Sequence, residues 1–207
     1  TDRGMAALAG LDGLFALNVH DARLGLTAAA LAPLAGLAHL GFLAFDATDE
    51  AMPYVAALPN LRFLMCQDTA AGDDGFAALS RSRSIEYIWG RRCRNLRRRG
   101  FQAMANMPAL RALAVSLDDV GDAGASALPS FPALRELMPM ALPDAQYRHV
   151  GRCAALESLV LMYCRDTTDL ATEQIARLPR LASYYASYTR ITDRTPELLA
   201  GMASLER

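Results

Sequence analysis

Apolar positions along this chain follow two rhythms in turn, and the alternation between them itself repeats. Segments of the form Leu-x-x-Leu, or close variants, open at Leu11 (LDGLFAL), Leu37 (LAHLGFL), Leu61 (LRFLMCQ), Ile85 (IEYIWGR), Leu110 (LRALAVS), Leu134 (LRELMPM), Leu156 (LESLVLM) and Leu181 (LASYYAS). Their starts lie 26, 24, 24, 25, 24, 22 and 25 residues apart, a period that marks a stacked-repeat architecture. Within the unit that opens at Leu110, Leu113 and Val115 continue a short alternation, which predicts a strand with these side chains inward. Val120 is the next inward anchor, and Asp122 sits where a helix takes a cap or a first-turn acid. Ala125, Leu128 and Phe131 follow at spacings of three on one face of a short helix, which Pro132 ends. The last unit repeats this, with Thr192 and Asp193 at the helix start and Leu198, Leu199 and Met202 inward. Each unit reads strand, loop, helix. Because a helix is about 10 Å wide and strands sit about 4.8 Å apart, such a stack curves with its strands on the concave side.

The pattern resembles the leucine-rich repeat family in its helix-bearing variants. The family's Leu-x-x-Leu-x-Leu-x-x-(Asn/Cys/Thr) signature is met at Leu156, Leu159, Leu161 and Cys164, and at Leu61, Leu64, Cys66 and Thr69. VGDAGASAL at Val120–Leu128 also looks like the Gly-Ala-x-Ala-Leu motif of a group of bacterial plant-pathogen effectors. The resemblance implies an α/β leucine-rich repeat solenoid, a curved right-handed stack with a parallel concave sheet and convex helices. It covers residues 1–207 as a single array of about eight repeats. TDRGMAALAG at the start matches the second half of a unit, and Leu205-Glu206-Arg207 opens a ninth. Neither end shows the polar cap that such arrays carry, so the expectation is an excerpt of a longer protein.

In this register the third, fifth, seventh and eighth residues of each unit face out of the concave sheet. The first two units then present Gly13, Phe15, Leu17 and Asn18, and His39, Gly41, Leu43 and Ala44. Further along, Phe63, Met65, Tyr87, Trp89, Met138, Met140, Met162, Tyr163, Tyr185 and Tyr188 make the face unusually apolar. A contiguous apolar patch marks an interaction site, Trp, Tyr and Arg dominate binding hot spots, and Met supplies an adaptable surface. The predicted partner-binding residues are Phe63, Met65, Tyr87, Trp89, Arg91, Arg92, Met138, Met140, Tyr163 and Tyr185. The competing reading is a face covered by another part of the same protein. Two irregularities fall here. Gly90 takes an inward position that wants a leucine, and Pro139 interrupts a strand where its missing N–H should break the ladder.

Six arginines crowd IEYIWGRRCRNLRRRG. Arg94, Arg97, Arg98 and Arg99 are the candidates for an anionic partner, against a reading in which Asp68, Asp73, Asp74, Asp118 and Asp119 of adjacent units neutralise the cluster. With 21 basic and 22 acidic residues the chain has no global field to draw nucleic acid or an anionic membrane. No apolar run approaches the roughly 18 residues that span a bilayer. Cys66, Cys93, Cys153 and Cys164 show no metal-type pairing and read as buried core thiols, with Cys93 and Cys164 at the ninth position of their units. His20, His39 and His149 lie in different units without a nucleophile and an orienting group at matching positions. The expectation is therefore no enzyme, no cofactor and no metal. It is a scaffold that binds a protein or peptide on its concave face, cytoplasmic or acting as a secreted effector inside a host cell. The alternatives are a substrate-recognition module of a larger enzyme, as the family's effector-type ubiquitin ligases imply, and a structural array that packs on its own chain.

Overall fold

The computed structural model describes residues 1–20 and 26–206. Eight strands form one parallel sheet in chain order among these residues. They are β1 (Ala16–Asn18), β2 (Phe42–Ala44), β3 (Phe63–Met65), β4 (Tyr87–Gly90), β5 (Ala112–Ser116), β6 (Glu136–Met140), β7 (Ser158–Met162) and β8 (Ser183–Ser187). Short helices run along the opposite, convex face: α1 (Asp2–Ala6), α2 (Met52–Ala56), α3 (Asp73–Leu79), α4 (Arg98–Met104), α5 (Gly121–Ala125), α6 (Tyr147–Val150), α7 (Asp169–Ile175) and α8 (Arg194–Leu199). Tighter 3-10 turns at Ala28–Gly36, Leu128–Ser130 and Asp144–Gln146 complete that layer. One continuous apolar core separates the two layers. Leu110, Leu113, Val115, Val120, Ala125, Leu128 and Phe131 all lie in it, as their spacing predicts. The predicted helix of that unit is split, however, into α5 and a 3-10 turn. Of the ninth-unit residues, Arg207 lies outside the described residues.

The first two units are shifted from the sequence expectation. Ala16 pairs with Phe42, and Phe42 with Phe63. These units therefore open at Leu14 and Leu40, three residues later than at Leu11 and Leu37. Leucines three apart offer two overlapping Leu-x-x-Leu frames, and burial selects between them. Leu43 and Phe45 are buried, Leu17 is half-buried, and Leu11 is 49% exposed. Leu17 and Leu43 thus point inward, and Gly13 and His39 precede the strands. The closest spacing of paired positions is also displaced, from the unit opened by Leu134 to the 21 residues between Phe42 and Phe63.

The helix-entry aspartates act across the unit boundary. Asp73, in the first turn of α3, accepts hydrogen bonds from the Arg97 and Gly100 amides at the start of α4, at 2.9 and 2.8 Å. Asp49 does the same for Gly72 and Gly75 at 2.7 and 2.8 Å. Asp2, Asp144 and Asp169 accept from the amide and hydroxyl of Thr27, Thr168 and Thr192. Hydrogen bonds from Thr192 hold the Asp169 carboxyl below the usual carboxylate range, and Thr27 does so for Asp2. Close approach of one unit to the next requires a missing side chain: a Cβ on Gly100 would sit 2.8 Å from both Cα and Oδ1 of Asp73. Asp122 departs from the rule, since its carboxylate binds the side chains of Arg148 and His149 at 2.5 and 2.9 Å.

Both irregular strand positions have local causes. At Gly90 an added Cβ would lie 2.5 Å from Cys93 Sγ, so sulfur fills the space that a larger side chain such as Val115 or Leu161 takes in other units. The β5–β6 ladder runs to Met140, but the β6–β7 ladder stops at Leu137, two residues before Pro139. All four cysteines are free and buried. Burial pushes the Cys153 thiol up to about 12, and a hydrogen bond with Cys66 together with burial raises Cys93 well above the ordinary thiol range. The native protein is therefore expected to resist an exposed-thiol reagent such as Ellman's at neutral pH, and to release four equivalents on unfolding in denaturant. A rapid native-state equivalent would contradict this packing.

Candidate functional site

The concave sheet presents two rows of side chains. The outer row runs Phe42, Phe63, Tyr87, Ala112, Glu136, Ser158, Ser183 across paired strands. Its aromatic half is a stacked ladder. The Phe42 and Phe63 rings are 5.1 Å apart and the Phe63 and Tyr87 rings 5.8 Å, with interplanar angles of 27° and 14°. In the second row, Met65 pairs with Trp89, Trp89 with Ala114, and Ala114 with Met138. Both rows drop to alanine on β5, and there the face hollows into a groove of about 300 Å³. Tyr87 and Trp89 form one wall, Glu136 and Met138 the other, with Ser158 and Val160 beyond. Trp89, the only tryptophan, is 37% exposed although core packing does not use its outer face.

A second aromatic group lies where the strands end. Ala141, Tyr163 and Tyr188 adopt left-handed backbone, with φ of 59°, 59° and 54°. A residue with a side chain is uncommon there, and the turn leaves both tyrosines exposed. Their rings stack at 5.2 Å. The Arg91 guanidinium reaches from the end of β4 to lie 5.5 Å from the Tyr163 centroid, a cation–π contact. Ser116 anchors the same strand end by donating its hydroxyl hydrogen to the Arg91 carbonyl.

Phe63, Tyr87, Trp89 and Met138 come together on the groove. Met65 is half-buried beside Trp89, and Tyr185, 50% exposed, pairs with Val160 at the far end. Arg91 and Tyr163 form the neighbouring group. Met140 is only 8% exposed and has little surface to offer a ligand. Arg92 is tied to Asp68, with Nε 2.6 Å from Oδ1 and Nη2 donating to Oδ2 at 3.1 Å.

Of the remaining arginines, two pair with acids of the adjacent units. Arg97 pairs with Asp119 at 3.0 Å, and Arg99 with Asp74 at 2.6 Å. Arg98 donates to Gln102 at 3.4 Å, and Arg97 donates to the Arg94 carbonyl at 2.6 Å. Adjacent acids thus engage three of the six arginines, Arg92, Arg97 and Arg99. Phe42, Ala112, Ala114 and Glu136 were not among the sequence candidates. Leu40-x-x-Leu43-x-Phe45 was the available signal for Phe42, and the lone acid in the outer row was the signal for Glu136.

No family model and no curated protein matches the chain. Among solved structures, it is similar to an internalin of Listeria monocytogenes at 19% identity, TM-score 0.51, over 98% of this chain and 63% of the internalin. It is also similar to TLR13 in the TLR13-ssRNA13 complex at 17% identity, TM-score 0.52, over 87% of this chain and 30% of TLR13. Together with the all-parallel sheet in chain order and the helices on its convex face, this decides the fold.

The chain has the leucine-rich repeat fold.

The leucine-rich repeat array spans less than two thirds of either neighbour's length. None of its described helices is long and apolar enough to cross a membrane. At these identities the likeness carries the fold alone, so the function is argued from the concave face.

Proposed function

We propose that this leucine-rich repeat array is a scaffold that binds a protein or peptide on its concave face, centred on the groove between β4 and β6. One observation carries the reading. The sole tryptophan, a stacked Phe42–Phe63–Tyr87 ladder and Met138 surround a hollow made by two alanines, on a sheet face that the protein's own helices leave uncovered. A rigid sheet presenting aromatic anchors beside a pocket is the arrangement from which binding energy is drawn in protein interfaces. The adjoining Arg91–Tyr163–Tyr188 group extends the contact surface towards the strand ends.

The test is a peptide selection from a random display library on the intact array, followed by calorimetric affinities for the selected sequences. Trp89→Ala is expected to weaken them by about thirtyfold, the scale of a hot-spot truncation of ~2 kcal/mol. Tyr54→Ala, an exposed aromatic on convex helix α2, should leave them unchanged. Equal loss from both substitutions, or from neither, would place binding elsewhere.

A further inference from the structure

The groove is mostly apolar, and one charged side chain lines it, Glu136. Glu136 is exposed and makes no ion pair among the described residues. Most neighbouring charges are already engaged, and Arg111, whose carbonyl accepts from the Glu136 amide, makes no ion pair with it among the described residues. Arg62 pairs with Glu86 at 2.7 Å, Arg135 with Glu157 at 3.4 Å, Arg92 with Asp68 at 2.6 Å, and Arg91 lies over Tyr163. A carboxylate thus stands across an alanine floor from the faces of Tyr87 and Trp89. Tyr87 and Glu136 are two strands apart in the register, through Ala112, which corresponds to about 10 Å at ordinary strand spacing. A flat cationic group fits between a ring and a carboxylate at that separation, and the alanine leaves the space for it.

We infer that the groove receives an arginine side chain of the partner polypeptide, its guanidinium against Trp89 and Tyr87 and hydrogen-bonded to Glu136. This rests on the concave-face reading above and adds the chemistry of the ligand. Arginine fits better than lysine because its planar guanidinium stacks on aromatic faces and meets a carboxylate with two parallel N–H donors. Trp is the strongest ring for a cation. The proposal reverses the sign that the arginine-rich segment suggests. None of those arginines lines the groove, whose one charged lining residue is Glu136, so the charge available to a ligand there is negative.

The peptides selected above discriminate. Those that lose affinity with Trp89→Ala should share an arginine at one fixed position. Replacing it with citrulline, which keeps the shape and removes the charge, should cost at least tenfold against the unmodified array. Glu136→Gln, a surface change of equal size, should weaken the arginine peptide to a similar degree and abolish its advantage over the citrulline peptide. If Trp89-dependent peptides carry no shared arginine, or if citrulline is tolerated by the unmodified array, this inference fails while concave-face binding stands. If no Trp89-dependent peptide is recovered, both readings fail together.

Discussion

Phe101→Ala is expected to lower the unfolding free energy by about 3–5 kcal/mol, among the largest effects of any single truncation in this chain. Phe101 is fully buried on the inner side of α4, and its ring lies 5.4 Å from that of Phe131 in the next unit at a tilt of 48°. The substitution removes the side chain's own burial and opens a void between two units. A close-packed interior relaxes around such a void only in part. In a stacked array each unit is stabilised by the interfaces with its two neighbours. A lesion in the middle of the helical layer should therefore weaken the coupling between the two halves. Urea denaturation followed by far-UV circular dichroism should show a lower midpoint and a broader or two-step transition. Phe15→Ala, at an exposed ring, should change stability by less than ~0.5 kcal/mol. A loss at Phe101 below about 1.5 kcal/mol would mean that the helical layer carries little of the fold.

The second large effect separates two adjacent aspartates. Both Asp73 and Asp74 stand in the first turn of α3, where either favours the helix dipole. Only Asp73 is also the acceptor for two amides of the following unit. Asp73→Ala leaves the Arg97 and Gly100 N–H groups without that partner at a partly buried boundary. It is expected to cost about 2–3 kcal/mol, the scale of hydrogen bonds to a charged acceptor. Asp74→Ala removes one ion pair with Arg99 between exposed groups and should cost less than ~0.5 kcal/mol. Hydrogen exchange gives a sharper readout. The Gly100 amide should lose protection in the Asp73 variant, although the substitution lies 27 residues away. Equal costs for the two variants would mean that the aspartates serve only their own helix.

Much of the fold is legible in the sequence because core positions obey local periods. Leu110, Leu113 and Val115 alternate as a strand, and Leu128 and Phe131 recur as the buried side of the convex layer. The first two units are misframed because Leu11 and Leu14, and Leu37 and Leu40, present the same motif three residues apart, and only pairing and burial in the fold choose between them. The aromatic side of the groove is legible as well, since Tyr87, Trp89 and Met138 fall at outward positions of correctly framed units. Its charge is not. The sequence shows six arginines around Trp89, but which of them are engaged depends on contacts with other units. Arg91 reaches Tyr163, and Asp68, Asp74 and Asp119 take Arg92, Arg99 and Arg97. Glu136 is one acid among many in a linear reading. It stands out only when Ala112 is seen to leave a gap beside it.

The aspartates that reach forward give the array a direction. At five junctions a unit brings the carboxylate that its successor's helix start uses. If a block of units is removed together with the aspartate that preceded it, the next helix start loses its acceptor. If the cut is made on the other side, the released carboxylate turns to water at little cost. Whole units are thus interchangeable only when exchanged with the correct frame, from just after one such aspartate to just after the next. A chain growing by duplication would be held to that frame at each of these junctions, and it is released from it at α4, whose start carries no acid, and at Asp122, whose partners are side chains rather than amides.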